Sequence, residues 1–273
     1  MISQRKEVAS VLFARLFAKP HKPVPPPSTG GRLVYAVGDI HGRLDVMEPL
    51  VYAIAKDSAE TNPVDLPLLV FLGDYVDRGP ASKGVVDLIL RLKAETGVEV
   101  RALKGNHEEA LLNFLEDPRY GPPWADHGGG ATLQSYGVQP PAMRNDAAGW
   151  RAARDAFAAA LPPEHLEFYR SLELMVTVGD YLFVHAGVRP GVALDAQDER
   201  DLLWIRGEFL HAQGPFGKVV VHGHTPTEEP QLMAHRLGVD TGAYATGVLT
   251  AVRLDGTGHR VMQARAGQAA VAA

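Results

Sequence analysis

Cysteine is absent from all 273 residues. That excludes disulfide stapling, thiolate metal sites and any hydrolase built on a cysteine nucleophile. Also missing is an uninterrupted apolar run near the ~20 residues that a bilayer-spanning helix needs. Basic charge is not in excess either, since 27 Lys and Arg stand against 32 Asp and Glu, a formal net charge of −5. A generic binder of nucleic acid or anionic membrane carries a basic stripe, so neither partner is expected. An anionic substrate would have to be met by a few local cations. What the chain does have is 46% hydrophobic residues, enough to bury the core of one large domain.

Residues 1–31 stand apart. Val8, Val11, Leu12, Leu16 and Phe17 recur at helical spacing and predict an amphipathic helix. Glu7 and Arg15 interrupt the apolar stretch and no small-residue cleavage site follows, so it does not read as a signal peptide, and a cytoplasmic location is expected. Pro20, Pro23, Pro25, Pro26 and Pro27 then form a stiff linker. Such a tethered helix could pack on the domain, dock a neighbour or join copies of the chain into an oligomer.

From Arg32 short apolar runs alternate with helical segments, the pattern of an α/β domain over 32–265, leaving 266–273 as a flexible tail. Strands are predicted at Leu33–Val37, Leu68–Leu72 and Val98–Leu103, and helices at Leu44–Ala55, Lys83–Glu95 and Glu108–Leu115. Residues 117–161, broken by prolines and glycines before an alanine-rich helix near 146–160, read as an insertion over the strand ends. The later part turns β-rich, with strands at Leu172–Val178, Tyr181–Val184, Val219–Val221 and Gly247–Val252.

The strand ends carry the chemistry. The run Leu68–Leu72 opens into Gly73-Asp74-Tyr75-Val76-Asp77-Arg78-Gly79, and similar turns stand on either side of it at Gly38-Asp39-Ile40-His41-Gly42 and Gly105-Asn106-His107-Glu108. Two histidine-bearing ends come later, at His185-Ala186-Gly187 and His222-Gly223-His224-Thr225. Asp39, His41, Asp74, Asn106, His185, His222 and His224 make an oxygen and imidazole set without sulfur. That mixture suits Mn, Fe or Zn, and two ions bridged by one carboxylate fit the count. Independent helix capping does not explain five such ends.

In order and spacing these turns resemble the signature of the calcineurin-like metallophosphoesterases. The Asp-Arg-Gly ending and the Asn-His-Glu turn are similar to the phosphoprotein phosphatase branch in its bacterial and phage form. The resemblance spans roughly 32–254 and implies a metallophosphoesterase-type β-sandwich of two mixed sheets flanked by helices, a four-layer αββα arrangement. It also implies that Asp39 and His41 bind one divalent metal, that Asp74 bridges, and that Asn106, His185 and His224 bind a second. Manganese is expected ahead of iron or zinc. His222 is left as an alternative ligand or a residue behind the ligands.

An alkyl phosphate also needs a proton for its leaving oxygen, and His107, held beside Asn106 and paired in the family pattern with Asp77, is the candidate acid. Arg78 and Arg206 are candidate phosphate clamps, joined by Asn106, because a guanidinium fork matches two phosphate oxygens. His127 with Gly128-Gly129-Gly130 reads as a structural turn, and Tyr244 as a residue near the metals. The expected activity is hydrolysis of phosphoserine- or phosphothreonine-type esters by a hydroxide held between the metals. The alternatives are a dinucleoside polyphosphate hydrolase of the diadenosine tetraphosphate type and a noncatalytic binding module on the same fold. A phosphorylated protein or small phosphoester is the expected partner.

Overall fold

The runs after Arg32, Pro67 and Val98 form neighbouring parallel strands, β1 (Val34–Val37), β2 (Leu68–Phe71) and β3 (Glu99–Ala102), in a computed structural model that describes residues 26–256, 258–268 and 271–272. The predicted N-terminal helix lies outside the described residues. Crossover helices α1 (Leu44–Thr61) and α2 (Ser82–Ala94) join the strands, and α3 (Asn106–Glu116) follows β3. Because the connections are crossovers, all of these strands point the same way and their C-terminal ends open at one edge.

Residues 117–161 hold the short helices α4 (Gly121–Asp126) and α5 (Gly129–Ser135), then α6 (Ala147–Ala160), and α7 (Pro163–Arg170) comes next. A second sheet is built from β4 (Met175–Val178), β5 (Tyr181–Val184), β6 (Val219–His222), β7 (Gln231–Leu232) and β8 (Arg236–Gly238) in the order β4-β5-β6-β8-β7. Between β5 and β6 lie α8 (Glu199–Trp204) and α9 (Gly207–Leu210). The turn α10 (Ala243–Thr246) leads into β9 (Val248–Asp255) and β10 (Gly258–Arg265). The first sheet runs β11-β10-β9-β1-β2-β3, where β11 is Val271–Ala272, with β9 antiparallel to β1. Both sheets are therefore mixed, as expected.

Side-chain alternation explains why the central strands are apolar throughout. Val34 and Ala36 of β1 with Leu68 and Val70 of β2 face the second sheet, meeting Val176, Phe183, Val221 and Leu237. Tyr35, Val37, Leu69 and Phe71 face the other way, against Val46, Leu50, Val85 and Ile89 of α1 and α2. A strand buried on both faces needs apolar residues at every position, and each large side chain so buried contributes about 1.5–3 kcal/mol. Leu182, Val184 and Val220 of the second sheet pack on Leu202 and Phe209 of α8 and α9. The result is helices, sheet, sheet, helices.

The structure departs from the sequence expectation at the C-terminus. Residues 271–272 pair with Met262 and Gln263 as β11 (Val271–Ala272), where a free tail was expected. The exposed edge of β10 offers unpaired backbone groups that even a two-residue strand can satisfy.

Candidate metal centre

Strand ends of both sheets meet at one edge, and the expected residues meet there. The loop after β1 brings Asp39 and His41, that after β2 brings Asp74, and the start of α3 brings Asn106 and His107. The ends of β5 and β6 add His185 and His224. Asp39, His41, Asp74, His107, His185 and His224 are each less than 5% exposed. Six non-glycine residues among those described have positive φ: His41, Asp74, Asp77, Arg78, His224 and Asn62. All but Asn62, the C-cap of α1, belong to the expected site. Strained backbone concentrated this way has to be held by its surroundings, as at functional sites.

Glycines allow these loops to touch. A Cβ on Gly79 would stand 2.2 Å from the His41 carbonyl oxygen, and one on Gly105 would stand 2.2 Å from Asp74 Oδ1. Glu108 adds a staple: its carboxylate accepts the backbone N–H of Asp74 at 2.9 Å, of Tyr75 at 2.8 Å and of Gly105 at 3.0 Å. One buried side chain thus fixes the loop after β2 against the start of α3.

The tautomers follow from the backbone. His41 Nδ1 lies 2.8 Å from the Val76 carbonyl and His185 Nδ1 lies 2.9 Å from that of Leu72. A carbonyl only accepts, so each ring carries its proton on Nδ1 and turns a lone pair on Nε2 inward. Burial pushes His41 down to about 3 and His185 below its ordinary value, so both rings are neutral. The two lone pairs face Asp74, His41 Nε2 at 3.5 Å from Oδ2 and His185 Nε2 at 3.5 Å from Oδ1. Asn106 Oδ1 lies 3.0 Å from His185 Nε2 and 2.8 Å from His224 Nδ1, and His224 Nε2 is buried without a partner. His185 Nε2 and Asn106 Oδ1 are two acceptors with no donor between them, and with the unpartnered His224 Nε2 they fit a bound cation. Two groups emerge, His41, Asp74 and His107, and Asp74, His185 and His224, with the donor atoms of each within 4.8 Å of one another.

Asp39 is in neither group. Both of its oxygens accept the His224 N–H at 3.1 Å. Burial, with Asp240 and Asp74 alongside, pushes Asp39 well above the usual carboxylate range. Burial, then Asp74, likewise pushes Asp240 up to about 6. For Asp74 burial acts upward too, but His185, His107 and His41 outweigh it and hold it low. Asp39 and Asp240, two buried acids pushed up beside Asp74, mark a place short of positive charge, a second observation that fits divalent cations. Asp240 was not among the expected site residues; its signal was the Asp240-Thr241-Gly242 turn.

His107 Nδ1 lies 2.6 Å from Asp77 Oδ2. Trp124 Nε1 donates to the same oxygen at 2.8 Å, and the Thr132 hydroxyl donates to Asp77 Oδ1 at 2.6 Å. Residues 117–161 therefore reach the site through Trp124 and Thr132, which the sequence did not single out. Arg78 is exposed, with Nη2 at 3.2 Å from His107 Nε2, and its N–H donates to the Gly128 carbonyl at 3.2 Å. A Cβ on Gly128, at φ +103, would stand 2.6 Å from that nitrogen, so the glycine segment is a structural turn behind Arg78. Arg206 is exposed beside Thr225, 3.3 Å from its hydroxyl, and after burial, the main cause, its charge adds to the lowering of His224 and His185. His222 is outside both groups, packed on Phe209 with Nδ1 at 3.1 Å from the Gly223 carbonyl and Nε2 at 3.4 Å from Arg236.

Residues 33–248 match the profile of the calcineurin-like phosphoesterases. The chain is similar to an asymmetrical bis(5'-nucleosyl)-tetraphosphatase of Bacillus cereus, 28% identical over 237 residues that cover 80% of this chain and 88% of the relative. Its fold is similar to that of a candidate diadenosine tetraphosphatase, with a TM-score of 0.59, 21% identity and coverage of 87% of this chain and 96% of that one. It is also similar to that of a protein serine/threonine phosphatase from Saccharomyces cerevisiae, with a TM-score of 0.52, 18% identity and coverage of 87% and 81%.

Proposed function

The chain belongs to the calcineurin-like phosphoesterase family and is a metallophosphoesterase hydrolase; from that premise we propose that it cleaves dinucleoside polyphosphates of the diadenosine tetraphosphate type. The observation that carries this reading is the match over most of both lengths to a relative named as such a hydrolase. It reverses the order expected from the turns alone, which put phosphoserine and phosphothreonine esters first. Those turns serve any phosphoryl group and do not report what lies beyond it.

In this reading His41, Asp74, Asn106, His185 and His224 hold two divalent cations, with Asp39 completing the first site and Asp74 shared. Manganese is the first candidate on the oxygen and imidazole donor set, with iron and zinc next. Bound there, such a pair would supply Lewis-acid chemistry for a phosphoryl group and a hydroxide at neutral pH. Arg78 and Arg206 bind phosphate oxygens that the buried residues do not reach. Water supplies the oxygen that joins phosphorus as one bridging P–O bond breaks. The departing nucleotide leaves through a phosphate oxygen that is already a stable anion, so the anhydride needs little help from an acid.

A second reading, phosphomonoester hydrolysis, is favoured by one feature. Asp77, held by Trp124 and Thr132, orients His107 with an apparatus that an anhydride does not require. An alkyl leaving group does require it. Turnover of diadenosine tetraphosphate and of a phosphoserine peptide by the manganese-loaded enzyme separates the two. A kcat/KM at least tenfold higher for the dinucleotide is expected, and the reverse order would return the protein phosphatase reading to first place.

A further inference from the structure

Two large aromatic side chains stay exposed beside the candidate centre, one on each side of Asp74. Tyr244 in α10 is 39% exposed and Trp204, the last residue of α8, is 41% exposed. Each meets a buried histidine of the centre nearly at right angles. The Tyr244 and His41 rings lie 5.4 Å apart at 84°, and the Trp204 and His224 rings 6.2 Å apart at 82°. His41 faces Oδ2 of Asp74, and His185, which packs on His224 at 5.0 Å, faces Oδ1. The order across the site is therefore Tyr244, His41, Asp74, His185, His224, Trp204.

Each ring is accompanied by a guanidinium. Arg78 Cζ sits 4.2 Å from the centre of the Tyr244 ring, and Arg206 follows Trp204 by two residues. The Trp204 ring is held by a hydrogen bond from Nε1 to Glu109 Oε2 at 2.7 Å. Binding a phosphate calls for the cations and not for the rings. Leaving aromatic surface in water at a charged site makes sense where the ligand brings a flat apolar face of its own. A nucleobase does so, and its phosphates then fall to the adjacent guanidinium.

We infer that Tyr244 and Trp204 are stacking surfaces for the two bases of a dinucleoside polyphosphate lying across the centre, and that they set the preference for nucleoside phosphates over simple ones. This assignment rests on the dinucleoside polyphosphate reading given above.

The test compares kcat/KM for diadenosine tetraphosphate with kcat/KM for p-nitrophenyl phosphate, which has no base, in wild type, Tyr244→Ala, Tyr244→Phe and Trp204→Ala, all loaded with manganese. The ratio is expected to fall about tenfold or more in each alanine variant, mainly through KM. Tyr244→Phe, which keeps the ring, is expected to stay within about threefold of wild type. Should either alanine variant fail to fold, the other carries the comparison. A wild type that prefers the dinucleotide, with the ratio unmoved in the alanine variants, would overturn the stacking role and leave the substrate reading intact. Equal loss on both substrates would make the rings structural and overturn it as well. A wild type that cannot turn over the dinucleotide but hydrolyses the aryl phosphate would remove the substrate reading, and the stacking role with it.

Discussion

Nδ1 of His107 lies 2.6 Å from Oδ2 of Asp77, and both side chains are buried. Burial works against a charged ring, but Asp74 and Asp77 outweigh it and raise His107 to about 9. Arg78 Nη2, 3.2 Å from Nε2, can only donate, so that contact belongs to the neutral ring with its proton on Nδ1. A phosphate that draws Arg78 away would leave Nε2 free to take and deliver a proton. The expected outcome is a difference between leaving groups. His107→Asn and Asp77→Asn should each lower kcat on a phosphoserine peptide by about 10²- to 10⁴-fold. On diadenosine tetraphosphate the loss should stay under about tenfold, because a phosphate leaving group needs no acid. Equal losses on the two substrates would assign the pair to positioning instead of proton delivery.

Asp74 faces His41 through one oxygen and His185 through the other, so both candidate metal positions depend on it. Metal content after dialysis should therefore fall from two equivalents per chain to none in Asp74→Ala and to about one in His41→Ala or His185→Ala. His222→Ala should keep both, since that ring lies against Phe209 and Arg236. Two equivalents retained by Asp74→Ala would rule out a shared carboxylate.

β1, β2 and β5 and the site residues at their ends were legible because a strand buried on both faces must be apolar to its last residue, so the polar residues after it stand out. Asp39, His41, Asp74 and His185 follow such strands, and His224 follows the apolar run Val219 to Val221 of β6. The half-buried β3, by contrast, carries Glu99 and Arg101, and its end showed through the likeness of its turn to the others. Asp240 follows β8 by the same two residues that separate Asp39 from β1, but β8 itself was not legible, and Glu108, Trp124 and Thr132 do not follow a strand end in this way. Glu108 acts through backbone N–H groups of a loop more than 30 residues earlier in the chain, and Trp124 and Thr132 reach Asp77 from helices α4 and α5, which are too short to show a period. Strand β8 was hidden by its buried Arg236, and β7 and β11, at two residues each, are too short to show a pattern.

Gly79 and Gly42 hold the His41 turn against the end of the Asp74 loop. A Cβ on Gly79 would meet the His41 carbonyl oxygen at 2.2 Å and Gly42 C at 2.9 Å, both backbone atoms that cannot rotate away. Gly79→Ala is expected to cost about 1–3 kcal/mol in urea unfolding and to displace His41, lowering the first metal equivalent more than the second. Gly97→Ala is the control, because nothing lies within 4 Å of its Cβ position. It should be neutral or stabilising by up to about 1 kcal/mol. Matching effects of the two substitutions would dissociate the glycine contact from the metal site.

Asp57 ties α1 to the first sheet far from the chemistry. It accepts from Tyr35 Oη at 2.5 Å, from Arg253 Nε at 2.7 Å and from Arg260. Burial pushes its carboxyl up, but Tyr35 and Arg253 outweigh burial and hold it below the usual range. A folded pKa below the unfolded value, ~3.9, means that the contribution is complete above that value and fades as pH falls through the folded one. Asp57→Asn should therefore cost about 1–3 kcal/mol at pH 7, and the gap from wild type should begin to close only below about pH 4. Tyr35, raised by burial and by Asp57, has the opposite sign: its share is complete below the unfolded phenol value of ~10 and is lost only at higher pH. The gap should accordingly be flat between about pH 5 and 9, and urea melts at pH 8, 6 and 3.5 would check it. A gap still undiminished at pH 3.5 would locate the loss in packing and not in the ionised carboxylate.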